Sequence, residues 1–401
     1  MTPLVTPIFT EDLSRLRAAA KDQSRVSGLT HSYYRYPARF SPNFVSEVIE
    51  CFSSPGDLVL DPYMGGGTTI VEAYVRGRRS VGCDLNSLAV FVGKAKTTML
   101  AKREIEEVRT WASQRAARIS YRDMCAEAAE IICADRTRNL DLPRARPVKK
   151  YLAIAMVSLN QMRTENAKVF ARSVLLNVGQ WALNGKLEAP TLEDVRRRVL
   201  LTCDDMLAAQ AEMQTLIKAG GHKTYRPKFI HASAARLGEY RPFSSETHAD
   251  LVITSPPYPG IHILYHRWQV DGRKETAAPY WIANCLDGKG TGYYNFADRG
   301  HEKEEEYFST SLLTLRSIRN CMKDGAVIVQ MVAFSNPVRQ LPKYLFNMQC
   351  AGFEEVTESI GAKGVSKFRR TWRNVPGRAW HAASKGNTNS SSEVVLIHQA
   401  I

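Results

Sequence analysis

The amino-acid sequence predicts an α/β fold carrying a large helical insertion. Three observations predict it. Short β-like runs alternate with helical patterns at both ends of the chain, as in a sheet covered by helices. Strand signals nearly vanish from residue 89 to residue 219, where apolar residues recur every three or four positions. And 401 residues with 44% hydrophobic content suffice for about two domains, or one large domain with an insertion.

In order, the strand candidates are Asp57–Asp61 (DLVLD), Ser80–Asp84 (SVGCD), Lys228–Ser233 (KFIHAS), Asp250–Thr254 (DLVIT), Ala326–Val332 (AVIVQMV), Phe353–Ile360 (FEEVTESI) and Glu393–Gln399 (EVVLIHQ). The first five are compact and apolar, as buried parallel strands are. The last two predict an antiparallel pair at one edge. The middle holds EIEEVRTWASQRAARI, RDMCAEAAEIICA, KKYLAIAMVSLNQMR and LEDVRRRVLLTCDDMLAAQAEMQTLIKA. A structureless loop of that length would be improbable, so it reads as helices inserted between the second and third strands. Its break, ADRTRNLDLPRARPVKK at 134–150, is charged and holds two prolines, which predicts an exposed connection. SKGNTNSSSE before the last run reads as a loop. The chain then divides into residues 1–88 and 223–401 as one α/β domain and 89–222 as the insertion.

The charge is strongly basic, 54 Lys+Arg against 40 Asp+Glu, net +14. Such an excess favours a polyanionic partner, nucleic acid ahead of an anionic membrane surface. The eight cysteines are scattered and form no CxxC pair, so neither a zinc site nor a disulfide framework is expected, and a reducing cytoplasm fits. Met1–Leu16 lacks a charged segment followed by a long apolar run, and no stretch of about 18 apolar residues exists. Neither a signal peptide nor a membrane span is expected.

Two segments carry chemistry. The first strand runs into Asp61-Pro62-Tyr63-Met64-Gly65-Gly66-Gly67-Thr68-Thr69 and then a helical pattern. Glycines allow a sharp turn and close backbone approach to a ligand. No Lys follows them as in a Walker loop, and the pattern is not GxGxxG, so phosphate binding is disfavoured. Asp84 closes the second strand about 20 residues on, a place suited to ribose hydroxyls. Asp61 and Asp84 at consecutive strand ends indicate an adenosine-type ligand without phosphates. The second segment follows the fourth run: Ser255-Pro256-Pro257-Tyr258. Two prolines fix φ and remove two N–H donors, leaving a stiff loop of acceptors beside an aromatic ring. Ser255 Oγ and the Pro256 carbonyl can accept from an NH2 group while Tyr258 stacks on the ring that bears it, the expected way to hold an extruded base.

Together DPYMGGGTT and TSPPY resemble the motifs of the S-adenosylmethionine (SAM)-dependent amino DNA methyltransferases, which act on N4 of cytosine or N6 of adenine. Tyr33-Tyr34-Arg35-Tyr36-Pro37-Ala38-Arg39-Phe40-Ser41-Pro42 is similar to the family's N-terminal cofactor-contacting segment. The resemblance covers both ends of the chain and not the helical middle. It implies a Rossmann-like, mostly parallel seven-stranded sheet with an antiparallel edge hairpin. It implies that Tyr36, Pro37, Ala38, Asp61, Met64, Gly65, Gly67 and Thr68 line the cofactor, that Asp84 holds its ribose, and that Ser255, Pro256, Pro257 and Tyr258 form the catalytic loop. At the end of the third run the family often carries an acid for the adenine amine; here Ser233 stands there, and the resemblance makes Ser233 the cofactor-binding candidate at that place.

The resemblance implies transfer of the SAM methyl to duplex DNA by base flipping, as a site-specific enzyme. Ser-Pro-Pro-Tyr is mostly associated in the family with N4 of cytosine, and Asp- or Asn-Pro-Pro-Tyr with N6 of adenine. The chemistry of Ser255 does not itself choose, since hydroxyl and carboxylate both accept from an amine. N6-adenine methylation is the alternative, followed by an RNA amine substrate or a non-catalytic DNA-binding homologue. Methylation of cytosine C5 requires a nucleophilic cysteine, and the catalytic loop holds none.

For DNA contact, residues 361–381 (GAKGVSKFRRTWRNVPGRAWH) interleave Lys367, Arg369, Arg370, Arg373 and Arg378 with aromatics and hold no acid, a pattern suited to phosphate contact plus stacking. Residues 259–299 add Arg267, Arg273 and Lys274, with Trp268, Tyr280 and Trp281; HRWQVDGRKETAAPYWIA there also resembles segments of the family. His262 and His266 have helical spacing but no third ligand nearby, so no metal is expected. The insertion is expected to serve recognition, DNA clamping or dimerisation. A cognate restriction endonuclease is a candidate partner, monomer and homodimer are both compatible, and a nucleoid-associated cytoplasmic location is expected.

Overall fold

A computed structural model describes residues 6–24, 26–36, 40–132, 135–186, 188–259, 267–272, 274–287, 296, 304–374 and 392–401. The helices are α1 (Thr10–Lys21), α2 (Pro42–Phe52), α3 (Thr68–Val75), α4 (Ser87–Thr97), α5 (Lys102–Gln114), α6 (Ala126–Ile132), α7 (Arg146–Ser158), α8 (Glu165–Leu183), α9 (Leu192–Ala219), α10 (Ala278–Ala283), α11 (Glu304–Asn320) and α12 (Pro337–Cys350). The main sheet is built of β1 (Leu58–Asp61), β2 (Arg79–Asp84), β3 (Lys228–His231), β4 (Ala249–Thr254), β5 (Met322–Ala333), β6 (Phe353–Glu355), β7 (Thr371–Asn374) and β8 (Ser392–Ala400).

Its order is β7-β8-β5-β4-β1-β2-β3, with β6 also pairing β8. The strands β3, β2, β1, β4 and β5 are parallel to one another, and β8 runs antiparallel to β5, β6 and β7. This is a Rossmann-like, mostly parallel sheet with an antiparallel edge. From β1 the chain winds outward through β2 and β3, then returns to lay β4 on the other side of β1. That reversal is a topological switch point, where side chains at the carboxyl ends of two neighbouring strands flank one crevice.

Strand alternation explains the two-sided burial. Leu58 and Leu60 point to the face covered by α11 and α12, with Val81, Cys83, Val252, Ile328 and Leu396. Val59 points to the opposite face with Leu251, Ile253, Val329 and Ile397, under α1 and α2.

Among the described residues the sheet has eight strands where seven were expected, and two elements differ. The run Phe353–Ile360 breaks after Glu355. Only β6 joins the main sheet, and Glu358–Gly361 pairs instead with Ile8–Phe9 and Gly364–Lys367 in a small separate sheet. The eighth strand, β7, lies in the basic segment 361–381, where no strand is expected. Its exposure alternates along Thr371–Asn374, as for a strand with one face covered.

Helices α4 to α9 lie between β2 and β3 and close around a core of their own, with Val108, Trp111, Tyr151, Phe170, Val174, Leu175 and Val199 buried. Tyr33, Tyr34 and Tyr36 enter the same core, and so do Trp268, Val270 and α10. The fit is close: a Cβ on Gly179 would lie 2.8 Å from Ile282 and 3.1 Å from Trp268. Trp268 Nε1 donates to the Tyr34 hydroxyl at 3.0 Å. Residues 136–150 of the connection also pack, contrary to expectation. Leu140 and Lys149 are buried, Asn139 donates to the Glu275 carbonyl, and Arg136 to that of Cys285. No helix among the described residues is long and apolar enough to cross a membrane.

Candidate active site

The glycine turn after β1 is shaped by its backbone. Gly65 (φ 47°) and Gly67 (φ 73°) are left-handed, conformations that cost little only without a Cβ. Gly67 starts α3, whose first residue, Thr68, is buried. Asp84 at the tip of β2 holds the turn: its two carboxylate oxygens accept from Gly65 N and Asn86 N, each at 2.8 Å. Burial raises the Asp84 carboxyl to about 6 against those two amides. Tyr36 closes the turn from outside, since a Cβ on Gly65 would lie 3.3 Å from its ring. Its hydroxyl accepts from Asn86 Nδ2 at 3.3 Å.

Met64 packs beneath the turn. It is 3% exposed, with Sδ 3.5 Å from where a Cβ on Gly93 would stand, so its side chain wedges under the turn against α4. Two residues that sequence reasoning passed over brace the turn. Asn86 caps α4 through Leu88 N, and the buried Lys96 donates to the Gly66 carbonyl at 2.7 Å. Ser233 lies just past β3, where its hydroxyl accepts from Ala235 N at 3.3 Å.

The two strand tips meet. Thr254, the last residue of β4, donates its hydroxyl to Asp61 Oδ1 at 2.9 Å, with both groups buried. The same oxygen accepts from Tyr63 N at 3.2 Å. Burial lifts the Asp61 carboxyl to about 7 despite these donors, and the neighbouring Asp84 adds to the rise. The glycine turn and the Ser255–Tyr258 loop therefore emerge side by side at the switch point.

In that loop Ser255 is half-buried and its Oγ lies 2.7 Å from the Tyr258 hydroxyl. Tyr258 is 8% exposed and donates to Glu393 Oε1 at 2.8 Å. Glu393 Oε2 in turn accepts from Arg373 Nε and Nη2 at 2.9 and 2.7 Å. The ring of Tyr258 packs with the core on the α11 and α12 face of the sheet. The Pro257 carbonyl accepts from the Tyr307 hydroxyl at 2.7 Å, while that of Pro256 makes no hydrogen bond among the described residues. Tyr307 begins a ring cluster that runs through Phe296 to Tyr63, with centroids 5.5 and 5.8 Å apart.

The basic residues divide. Arg370 forms a two-pronged pair with Glu355 at 2.6 and 2.7 Å, and Arg373, half-buried, pairs with Glu393 at 2.7 Å. Arg267 is paired with Asp287 at 2.8 Å and Lys274 with Asp271 at 3.1 Å. Lys367 and Arg369 are exposed, and the Arg369 carbonyl accepts from Arg17. Trp268, Tyr280 and Trp281 are core residues, so that stretch reads as packing. Pro37, Ala38, Arg273, Arg378, His262 and His266 lie outside the described residues. Among those described, no cluster of ligating side chains could hold a metal.

Two carboxylates at the crevice, with bare glycine backbone between them, fit a cationic ligand bearing hydroxyls better than a phosphorylated one. Comparison with known proteins agrees in kind. Residues 12–92 match a family model described as DNA methylase. Type II methyltransferase M.MvaI of Kocuria varians is 40% identical over 73 residues, 18% of this chain and 16% of that protein. DNA adenine methyltransferase YhdJ of Escherichia coli (strain K12) is 28% identical over 106 residues, 26% of this chain and 36% of that protein. The chain thus matches only a minor part of either relative's length. Among solved structures, the rRNA methyltransferase aviRa from Streptomyces viridochromogenes matches with a TM-score of 0.36 and 11% identity, covering 92% of this chain and 89% of that one.

Proposed function

We propose that this chain, whose residues 12–92 carry the signature of the amino DNA methyltransferases, transfers the methyl of SAM to an exocyclic amine of a base in double-stranded DNA, N4 of cytosine first. The observation that carries the reading is the Thr254–Asp61 hydrogen bond. It sets a turn suited to a cationic donor against a loop suited to an amine.

The residues have distinct tasks. Asp61, Asp84 and the Gly65–Gly67 backbone would hold SAM, with Tyr36 over the turn. When bound, SAM supplies a methyl made electrophilic by its sulfonium. The target base leaves the stack and its NH2 donates to Ser255 Oγ and to the Pro256 carbonyl. Those two acceptors draw the nitrogen lone pair out of conjugation with the ring and aim it, so that positioning supplies much of the rate. Transfer needs no covalent bond to the protein: the new N–C bond would form as the donor's S–C bond breaks, a neutral thioether would leave, and the methylated nitrogen would release one proton to solvent. Lys367 and Arg369, two exposed cations shortly before β7, are candidates for phosphate contact.

The runner-up is N6 of adenine. One observation favours it: the similarity to YhdJ, named as a DNA adenine methyltransferase. The test of the broader reading is incubation with methyl-tritiated SAM and either duplex DNA or RNA of the same sequence. Label is expected in the DNA; label confined to the RNA would move the substrate, and label in neither would defeat the proposal.

A further inference from the structure

The Ser255–Tyr258–Glu393–Arg373 chain has a direction. Glu393, gripped by a guanidinium through Oε2, accepts hydrogen bonds and does not donate them. Tyr258 has one O–H and gives it to Glu393 Oε1. The short contact between Ser255 Oγ and Tyr258 must then have Ser255 as donor. That leaves the Ser255 oxygen with only lone pairs to present to the crevice.

We infer that Arg373 and Glu393 are positioning residues that lock Ser255 as a hydrogen-bond acceptor, and so select bases that present an amino group over those that present a carbonyl oxygen. The inference deepens the methyltransferase reading and rests on it. It also accounts for features that the loop alone leaves unexplained. Glu393 is buried and Arg373 largely so, with side-chain exposures of 5% and 11%, in the paired strands β8 and β7, where Arg373 stands directly opposite Glu393. Tyr258 is folded inward onto them. A free serine hydroxyl rotates and can donate as easily as accept. Here β7 and β8 remove that choice. A base oxygen at the same place would face lone pairs on Ser255 Oγ and on the Pro256 carbonyl, two repulsive contacts in place of two hydrogen bonds. Discrimination by an unmatched buried polar group is large.

The substitution Glu393→Gln is nearly isosteric and reverses the direction. With Arg373 still donating to the amide oxygen, the amide NH2 faces Tyr258. Tyr258 then gives its O–H to Ser255, whose own hydrogen points into the crevice at the amine. The experiment reads the network and the reaction separately. The full-length protein is labelled with 13Cζ-tyrosine, and the Tyr258 resonance is identified by its loss in Tyr258→Phe. The Glu393→Gln change is expected to shift that resonance and to leave the melting temperature nearly unchanged. It is expected to lower kcat on unmethylated genomic DNA on the order of 100-fold, with KM for DNA within a few-fold of wild type. Should Glu393→Gln fail to fold, Arg373→Lys serves. It keeps the charge, loses the second prong, and is expected to shift the same resonance and lower kcat less.

An unmoved Tyr258 resonance in a folded variant overturns the network. A moved resonance with kcat retained, or with only KM raised, overturns the role given to it. A wild-type protein that methylates nothing, yet shows the shift, overturns the methyltransferase reading and the selectivity argument with it.

Discussion

At the scale of single residues, Asp61 carries two tasks that pull against each other. It receives Thr254 and Tyr63, yet burial raises its carboxyl to about 7 from 3.8. Between those values the folded chain holds a proton that the unfolded chain has lost, so stability falls as pH rises across the window. Asp84, raised to about 6, acts in the same direction. Ligand-free protein should therefore melt at a higher temperature at pH 5 than at pH 8, and Asp61→Asn should flatten that difference and raise the melting temperature at pH 8. A cationic donor favours the carboxylate, so SAM affinity measured by calorimetry should weaken as pH falls through about 7. Equal affinity at pH 5.5 and pH 8 would disconnect Asp61 from the donor. Ser255→Ala should cut kcat on the order of 100-fold or more, with SAM affinity unchanged in the same titration.

At the scale of elements, the glycine turn and the loop after β4 were the most legible parts. Both are dictated by local chemistry: glycine where φ is positive, and proline pairs where a loop must be stiff. Gly65→Val should prevent SAM binding, because a side chain there is strained at φ 47° and meets Tyr36; calorimetry showing retained binding would contradict that geometry. The five parallel strands were legible too, since each is a short apolar run. What could not be read depends on pairing across long sequence distances. Glu393 stands 135 residues from Tyr258, and in sequence it is one acid beside a serine run. Arg373 looks like a phosphate ligand until its partner is known, and β7 looks like a loop until β8 pairs with it. The Trp268–Ala283 stretch has the composition of a nucleic-acid surface, yet Gly179 on α8 admits it to the helical core. Gly179→Leu should therefore lower the melting temperature by several degrees, whereas a substitution in a free surface stretch would not.

At the scale of the whole molecule, the reversal of strand order creates the crevice, and the helices between β2 and β3 hold Tyr36 over one side of it through the core they share with Tyr33 and Tyr34. The net charge of +14 predicts DNA affinity that falls steeply with salt; neutralising Lys367 and Arg369 should make that dependence shallower in a fluorescence-anisotropy titration. An unchanged slope would place the phosphates elsewhere. The central claim is that two neighbouring strand tips bring a methyl donor to an exocyclic amine. Its most direct measurement is mass spectrometry of the nucleosides released from methylation-free duplex DNA after incubation with the protein and SAM. The expected product is 4-methylcytosine, or 6-methyladenine under the runner-up. Finding 5-methylcytosine, or no methylated base, would contradict it.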